Sequence, residues 1–157
     1  MNITLLAIGK TRTGFVKVGL EEYLSRLRRY VTFDVAELPD VKNAGRLPEA
    51  EQKEAEGQLI FSRLLPSDHV VLLDERGRMY TSRKFAARLQ TLMASGKKRL
   101  VFVIGGPYGF SQSVYDRADE LLSLSEMTFN HEMVRLFFVE QTYRAFTILR
   151  GEPYHHD

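Results

Sequence analysis

The chain of 157 residues contains no cysteine and no tryptophan, five prolines and four histidines. Without cysteine there is no disulfide, no thiolate nucleophile and no thiolate-held metal, and a cytoplasmic location is the expectation. No apolar run approaches the roughly 20 residues of a membrane span. The opening "MNITLLAIGK" has neither a basic lead nor a small-residue cleavage site, so no signal peptide is expected. Charge of one sign is scarce as well. Lys and Arg number 22 against 20 Asp and Glu, and a net +2 does not by itself argue for nucleic acid. The histidines lack metal spacing: "HEMVR" begins like a zinc-protease helix, but the second histidine would fall at Arg135, and the adjacent His155 and His156 cannot easily share one ion. No metal is expected.

What is present is an ordinary globular composition, 44% apolar and 27% charged, expected to fold as one domain over 1–157. Apolar periodicity alternates between the two secondary-structure periods. "ITLLAI", "VTFDVAEL", "HVVLLD" and "RLVFVI" read as strands. Residues 14–30, 48–65, 83–94, 111–122 and 131–151 read as helices, with "ERGR" (75–78) a turn and 39–48 a polar, mobile loop. Thr81 or Ser82 is the expected cap of the third helix and Ser111 of the fourth. Gly151 and Pro153 stop the fifth. Strand–helix alternation predicts an α/β fold, a Rossmann-like, mostly parallel sheet with helices on both faces.

Ligands of such sheets bind beyond the carboxyl ends of the strands. Three segments therefore converge: Leu73-Asp74-Glu75, Gly105 to Gly109, and "LSLSEMTF" (122–129). The middle one, "VFVIGGPYGF", ends a greasy strand in a bare-backbone turn. Glycine costs backbone entropy, so three within five residues suggest a constraint that bulkier residues cannot meet. The familiar nucleotide motifs fail here. "IGKTRTG" lacks the glycine a P-loop needs at Thr4, "GGPYG" is not G-x-G-x-x-G, and no G-x-S-x-G elbow exists. Taken alone, the pattern gives a small-ligand site at a sheet edge or a structural turn. Basic residues gather at Arg26, Arg28 and Arg29, at Arg76, Arg78, Arg83 and Lys84, and at Lys97 to Arg99, as solvated faces or as phosphate-binding patches.

"VVLLDERG", "IGGPYG" and above all "LSLSEMTFNHEMVRLFFVEQTYRAFTILRGEPYHHD" resemble the SPOUT-class family of ribosomal RNA large subunit methyltransferase H, over essentially the whole chain. The resemblance implies a C-terminal trefoil knot and an S-adenosyl-L-methionine cofactor. It also implies methylation of N3 of a pseudouridine in 23S ribosomal RNA within the assembled ribosome, by a homodimer. Carried over by position, the cofactor contacts are Leu73, Gly105, Gly106 and Leu124, Ser125, Glu126, Met127, Thr128 and Phe129. Tyr108 and Asn130 stand where the family varies. The N3 proton must be removed, and Glu75, His131, Arg135, Arg144, Tyr154 and His155 are the candidates, with His155, Tyr154 and Arg135 favoured as catalytic. Arg135 and Arg144, nine apart on one helix, face opposite ways. Val134, Leu136, Phe137, Phe138 and Val139 make the last helix apolar nearly all round, which fits a central position or a partner copy. A non-catalytic ribosome- or RNA-binding protein and a nucleotide-binding regulatory module are the alternatives.

Overall fold

The computed structural model describes residues 1–156; Asp157 lies outside them. Five strands form one sheet: β1 (Asn2–Ile8), β2 (Thr32–Leu38), β3 (His69–Met79), β4 (Arg99–Ile104) and β5 (Glu120–Ser123). Their order is β2-β1-β4-β3-β5, and every pairing is parallel. Helices α1 (Gly14–Leu27), α2 (Glu49–Phe61), α3 (Ser82–Met93), α4 (Gln112–Arg117) and α5 (Met133–Leu149) connect and cover the strands. Side chains alternate across a strand, so each buried strand feeds two cores. Ile3 and Leu5 of β1, with Leu100 and Phe102 of β4, meet Val16, Leu89, Phe138 and Val139 from α1, α3 and α5. Leu6 of β1, Leu72 of β3 and Val103 of β4 meet Ile60 of α2 and Val114 of α4 on the opposite face. Helices on both faces explain why the inner strands read as continuous apolar runs.

Two elements differ from the sequence expectation. The "ERGR" turn lies within β3, whose pairing with β5 shifts register between Leu73 and Arg78. A side chain at Gly77 would come within 2.5 Å of the Leu122 backbone, so the glycine permits a close crossing where its sequence context suggests a turn. The expected helix 111–122 stops at Arg117, and Glu120–Ser123 form a fifth parallel strand. Asp119 fastens it at the start: its N–H donates to the Val70 carbonyl and its carboxylate accepts from the Val70 N–H at 2.8 Å. So short a strand carries little periodicity and is decided by its sheet neighbour. Within 39–48 the structure adds a short 3-10 turn, Ala44–Arg46, after left-handed Asn43. Thr81 caps α3 by accepting from Lys84 N–H at 3.1 Å. Ser111 precedes α4, but its hydroxyl bonds Ser113 at 3.0 Å and caps nothing.

Candidate functional site

The bulged stretch 73–76 within β3 and the segments that follow β4 and β5 enclose a cleft of about 790 Å³ at the carboxyl edge of the sheet. That is within the roughly 300–1,000 Å³ of small-molecule sites. Leu73, Gly105, Gly106 and all of Leu124 to Phe129 line it, so the structure brings together the nine residues expected around a cofactor. Ile104 and Leu122 add apolar wall. Met127 is 78% exposed, and Phe129 packs its ring on Phe137 at 5.0 Å. Neither is a core residue.

Different forces shape the three segments. The glycine turn closes on itself, with Gly109 N–H donating to the Gly106 carbonyl at 3.2 Å. Gly109 has φ +81°, the left-handed region that favours glycine. The other two glycines answer to the interior. A Cβ on Gly105 would stand 2.9 Å from the Phe110 ring, and one on Gly106 would stand 2.2 Å from the Glu56 carboxylate of α2. Glu56 is buried, accepts from Gln52 at 3.3 Å, and has its second oxygen unpaired. Burial pushes its carboxyl above the ordinary range, and the charge of Asp40 adds to the shift. In the third segment Ser125 accepts from Met127 N–H at 3.0 Å, and Asn130 caps the entry to α5 by accepting from Glu132 N–H at 2.9 Å.

The cleft also holds residues outside the nine cofactor positions, among them Asp74 and the candidate bases Glu75 and His131. Asp74, with a side chain only 7% exposed, accepts from the Tyr115 hydroxyl and, at 2.8 Å, from Arg76 N–H. The Arg76 guanidinium stacks over the Tyr115 ring at 4.5 Å. Tyr115 lies in what read as an unbroken helix, so no local signal marked it. Glu49, Asp74, Glu75 and Glu126 outnumber Lys53 and Arg76 around the opening, and His131 completes the rim. An acidic cleft of this kind favours a cationic ligand.

The three residues expected at the reacting centre lie elsewhere. Arg135 is 1% exposed and bound to the β1–α1 loop. Its guanidinium donates to the carbonyls of Ile8 and Gly9 at 2.8 and 2.9 Å, to Thr11 Oγ1 at 2.9 Å and to Glu37 Oε2 at 3.1 Å. Glu132 completes the clamp, taking the N–H groups of Arg12 and Thr13 at 2.9 and 2.8 Å. Arg135 is thus buried in a clamp away from the cleft, and nothing local in the sequence could reveal its backbone-carbonyl partners. Tyr154 and His155 pack on α1 and the end of α5 and are not among the residues lining the cleft. Tyr154 donates to Glu140 at 3.0 Å and shares a 3.1 Å bond with the Tyr23 hydroxyl. Burial and these two partners raise its pKa, so it stays a proton donor. Arg144 donates to Glu140 at 2.5 Å and to His155 Nδ1 at 3.1 Å. As expected from their spacing, Arg135 and Arg144 point to different places.

A parallel sheet, a glycine turn after a central strand and a cleft built at the carboxyl edge of three neighbouring strands define a small-ligand-binding protein of the α/β class. The family described as "Predicted SPOUT methyltransferase" matches residues 1–155, and the chain belongs to it. Its fold is thus the α/β knot, with the C-terminal segment threaded as a trefoil, a rare exception to the rule against threaded loops. The chain is 53% identical over 157 residues to a Parabacteroides distasonis protein named "Ribosomal RNA large subunit methyltransferase H", covering all of both chains. Proteins of the same name from Flavobacterium johnsoniae and Bacteroides thetaiotaomicron are 54% and 50% identical, over 99% and 100% of each chain. No helix is long and apolar enough to cross a membrane, and no metal-holding group of His, Asp or Glu occurs among the described residues.

Proposed function

We propose that the chain methylates N3 of a pseudouridine in large-subunit ribosomal RNA, using S-adenosyl-L-methionine and acting as a homodimer on the assembled ribosome. The observation that carries this reading is the full-length identity, about half of all positions, to proteins named for that RNA. The cleft agrees with the cofactor in size, in its flat glycine backbone and in its surplus of carboxylates.

When bound, S-adenosyl-L-methionine supplies a methyl group already activated on a positively charged sulfur. Leu73, Leu124, Met127 and Phe129 would hold its flat ring between apolar surfaces, while the backbone of Gly105, Gly106, Ser125, Glu126 and Thr128 reads its edges. Asp74, Glu75 and Glu126 favour the sulfonium charge. The chain must also make the N3 imide of the substrate reactive by stabilising its anion. Tyr154 O–H and the Arg144 guanidinium are donors suited to that charge. With Nδ1 accepting from Arg144, a neutral His155 carries its proton on Nε2 and is a donor too. It takes up the N3 proton only by releasing Arg144.

The tail of one copy does not line its own cleft, so a second copy must bring Tyr154 and His155 to the reaction. Apolar groups suited to that contact exist: Phe15 and Val18 of α1 are each 67% exposed, and Phe137 of α5, which packs on Phe129 of the cleft wall, is 41% exposed. Light scattering should report a dimer at micromolar concentration, and Phe137→Glu should split it. Methyl transfer from labelled cofactor to ribosomes, with the product mapped, should place one methyl on a large-subunit pseudouridine. Cofactor binding with no transfer to any ribosomal RNA would leave a binding module instead.

A further inference from the structure

A second concavity lies outside the cleft, between the end of β3, α3 and the edge strand β5. It has a volume of about 520 Å³ and is lined by Arg78, Tyr80, Lys84, Ala87, Arg88, Thr91 and Glu120. Three of these are cations and one is a carboxylate. Glu120 is already committed, taking two hydrogen bonds from Arg88 at 2.9 and 2.7 Å and meeting His69 at 2.6 Å. Arg78 and Lys84 are exposed and, among the described residues, neither is paired with a carboxylate. The Arg78 guanidinium lies over the Tyr80 ring at 5.0 Å, just as Arg76, two positions earlier, lies over Tyr115. Stacking on a ring orders an arginine while leaving its N–H edges free for the oxygens of a phosphate.

We propose that this groove is a track for the sugar-phosphate backbone of the RNA substrate and delivers the target nucleotide to the cleft. The proposal rests on the reading of RNA as substrate. It is carried by a segregation of charge between the cleft and the groove. On the cleft side of β3, Asp74, Glu75 and Glu126 repel a polyanion and suit a cationic cofactor. Past the register shift, Arg78 and Lys84 attract one. A chain with a net charge of only +2 must concentrate its positive potential locally to hold RNA. Arg76, which lines the cleft, and Arg78, which lines the groove, are separated by one residue, so phosphates held in the groove lie beside the opening.

The test uses the full chain carrying Arg78→Glu with Lys84→Glu, and a control carrying Lys42→Glu with Arg46→Glu. The control makes the same charge change at two exposed positions after β2, the strand at the opposite edge of the sheet from β5. Methyl transfer to ribosomes should show KM for the ribosome raised about tenfold or more in the first variant and less than about twofold in the control. Cofactor affinity and melting temperature should match the unmodified chain in both. The log–log salt dependence of RNA binding should be shallower by about 1.4, at roughly 0.7 for each of two lost phosphate contacts on a single strand. Arg78→Lys with Lys84→Arg should keep most of the affinity. Unchanged KM and salt slope in an active charge-reversed protein would overturn the groove and leave the methyltransferase reading intact. An unmodified chain that neither binds nor methylates ribosomal RNA would overturn both.

Discussion

The two ends of α5 carry the same pair of residue types and use them in opposite ways. At the amino end, Glu132 and Arg135 reach across 119 to 127 positions to fasten the β1–α1 loop, and four of their five hydrogen bonds to it use backbone groups. At the carboxyl end, Glu140 and Arg144 bond each other, the Tyr154 hydroxyl and the His155 ring, all side chains and all half-buried. Backbone partners cannot leave without unfolding something, whereas side-chain partners can exchange for a ligand. Desolvation is the largest influence on both cations: it lowers the pKa of Arg135, while for Arg144 the hydrogen bond and the charge of Glu140, with the neighbouring Tyr154 and Tyr23, together outweigh it and the shift is upward. The first end is part of the scaffold, and the second is chemistry in waiting.

Removing Arg135 gives the largest effect by this comparison. Arg135→Met keeps the bulk but strips donors from two buried carbonyls and from Glu37. Breaking a buried pair by removing one partner costs about 3–5 kcal/mol, and a chain of this size loses on the order of 10 °C in melting temperature. Calorimetry should show that loss, with activity recovering on cooling below the new transition. A variant that melts normally yet transfers no methyl would return Arg135 to the reacting centre.

His155→Ala should do the reverse. Its ring meets the Arg144 side chain from the tail. The melting temperature should shift by no more than about 2 °C, while single-turnover methyl transfer on ribosomes falls about a hundredfold, the low end for an acid–base group. Cofactor affinity should be unchanged. Full activity would move proton handling to Glu75 or His131 on the cleft rim.

These differences indicate why the sequence was informative in some places and silent in others. β1, β2 and β4, the helices over them and the Thr81 cap follow from local periodicity and capping chemistry. The glycine turn and the "LSEMTF" segment were legible because a cleft built from backbone leaves its mark as contiguous motif. β5 and the extension of β3 were hidden because four residues cannot show a period and a bulge resembles a turn. The Arg135 clamp was hidden for another reason. Two of its four partners are the carbonyls of Ile8 and Gly9, and a carbonyl leaves no trace in residue identity. Asp74 and Tyr115 likewise meet only through the fold, 41 positions apart.

Glu56 sharpens the comparison with the smallest effect, because it is buried like Arg135 but lacks a countercharge. Its neighbours are Gln52, which donates a long bond, the Gly106 backbone, and Asp40, whose charge disfavours ionisation. Burial is the main cause of its raised pKa, so the folded chain holds this proton to higher pH than the unfolded chain does. The sign follows from proton linkage. Below the ordinary carboxylate range both states are protonated, and Glu56 places no pH dependence on folding. As pH climbs from that range towards the raised value, the unfolded chain releases its proton first and stability falls. Above the raised value the loss is complete and constant. Glu56→Gln keeps the shape and removes the proton, so the stability difference, variant minus unmodified, should grow across that window and then level off. Urea denaturation at steps between about pH 4 and pH 8 measures it. A difference that stays flat with pH, or shrinks as pH rises, would mean that the Glu56 carboxyl is ionised in the folded protein and balanced by a group other than Gln52.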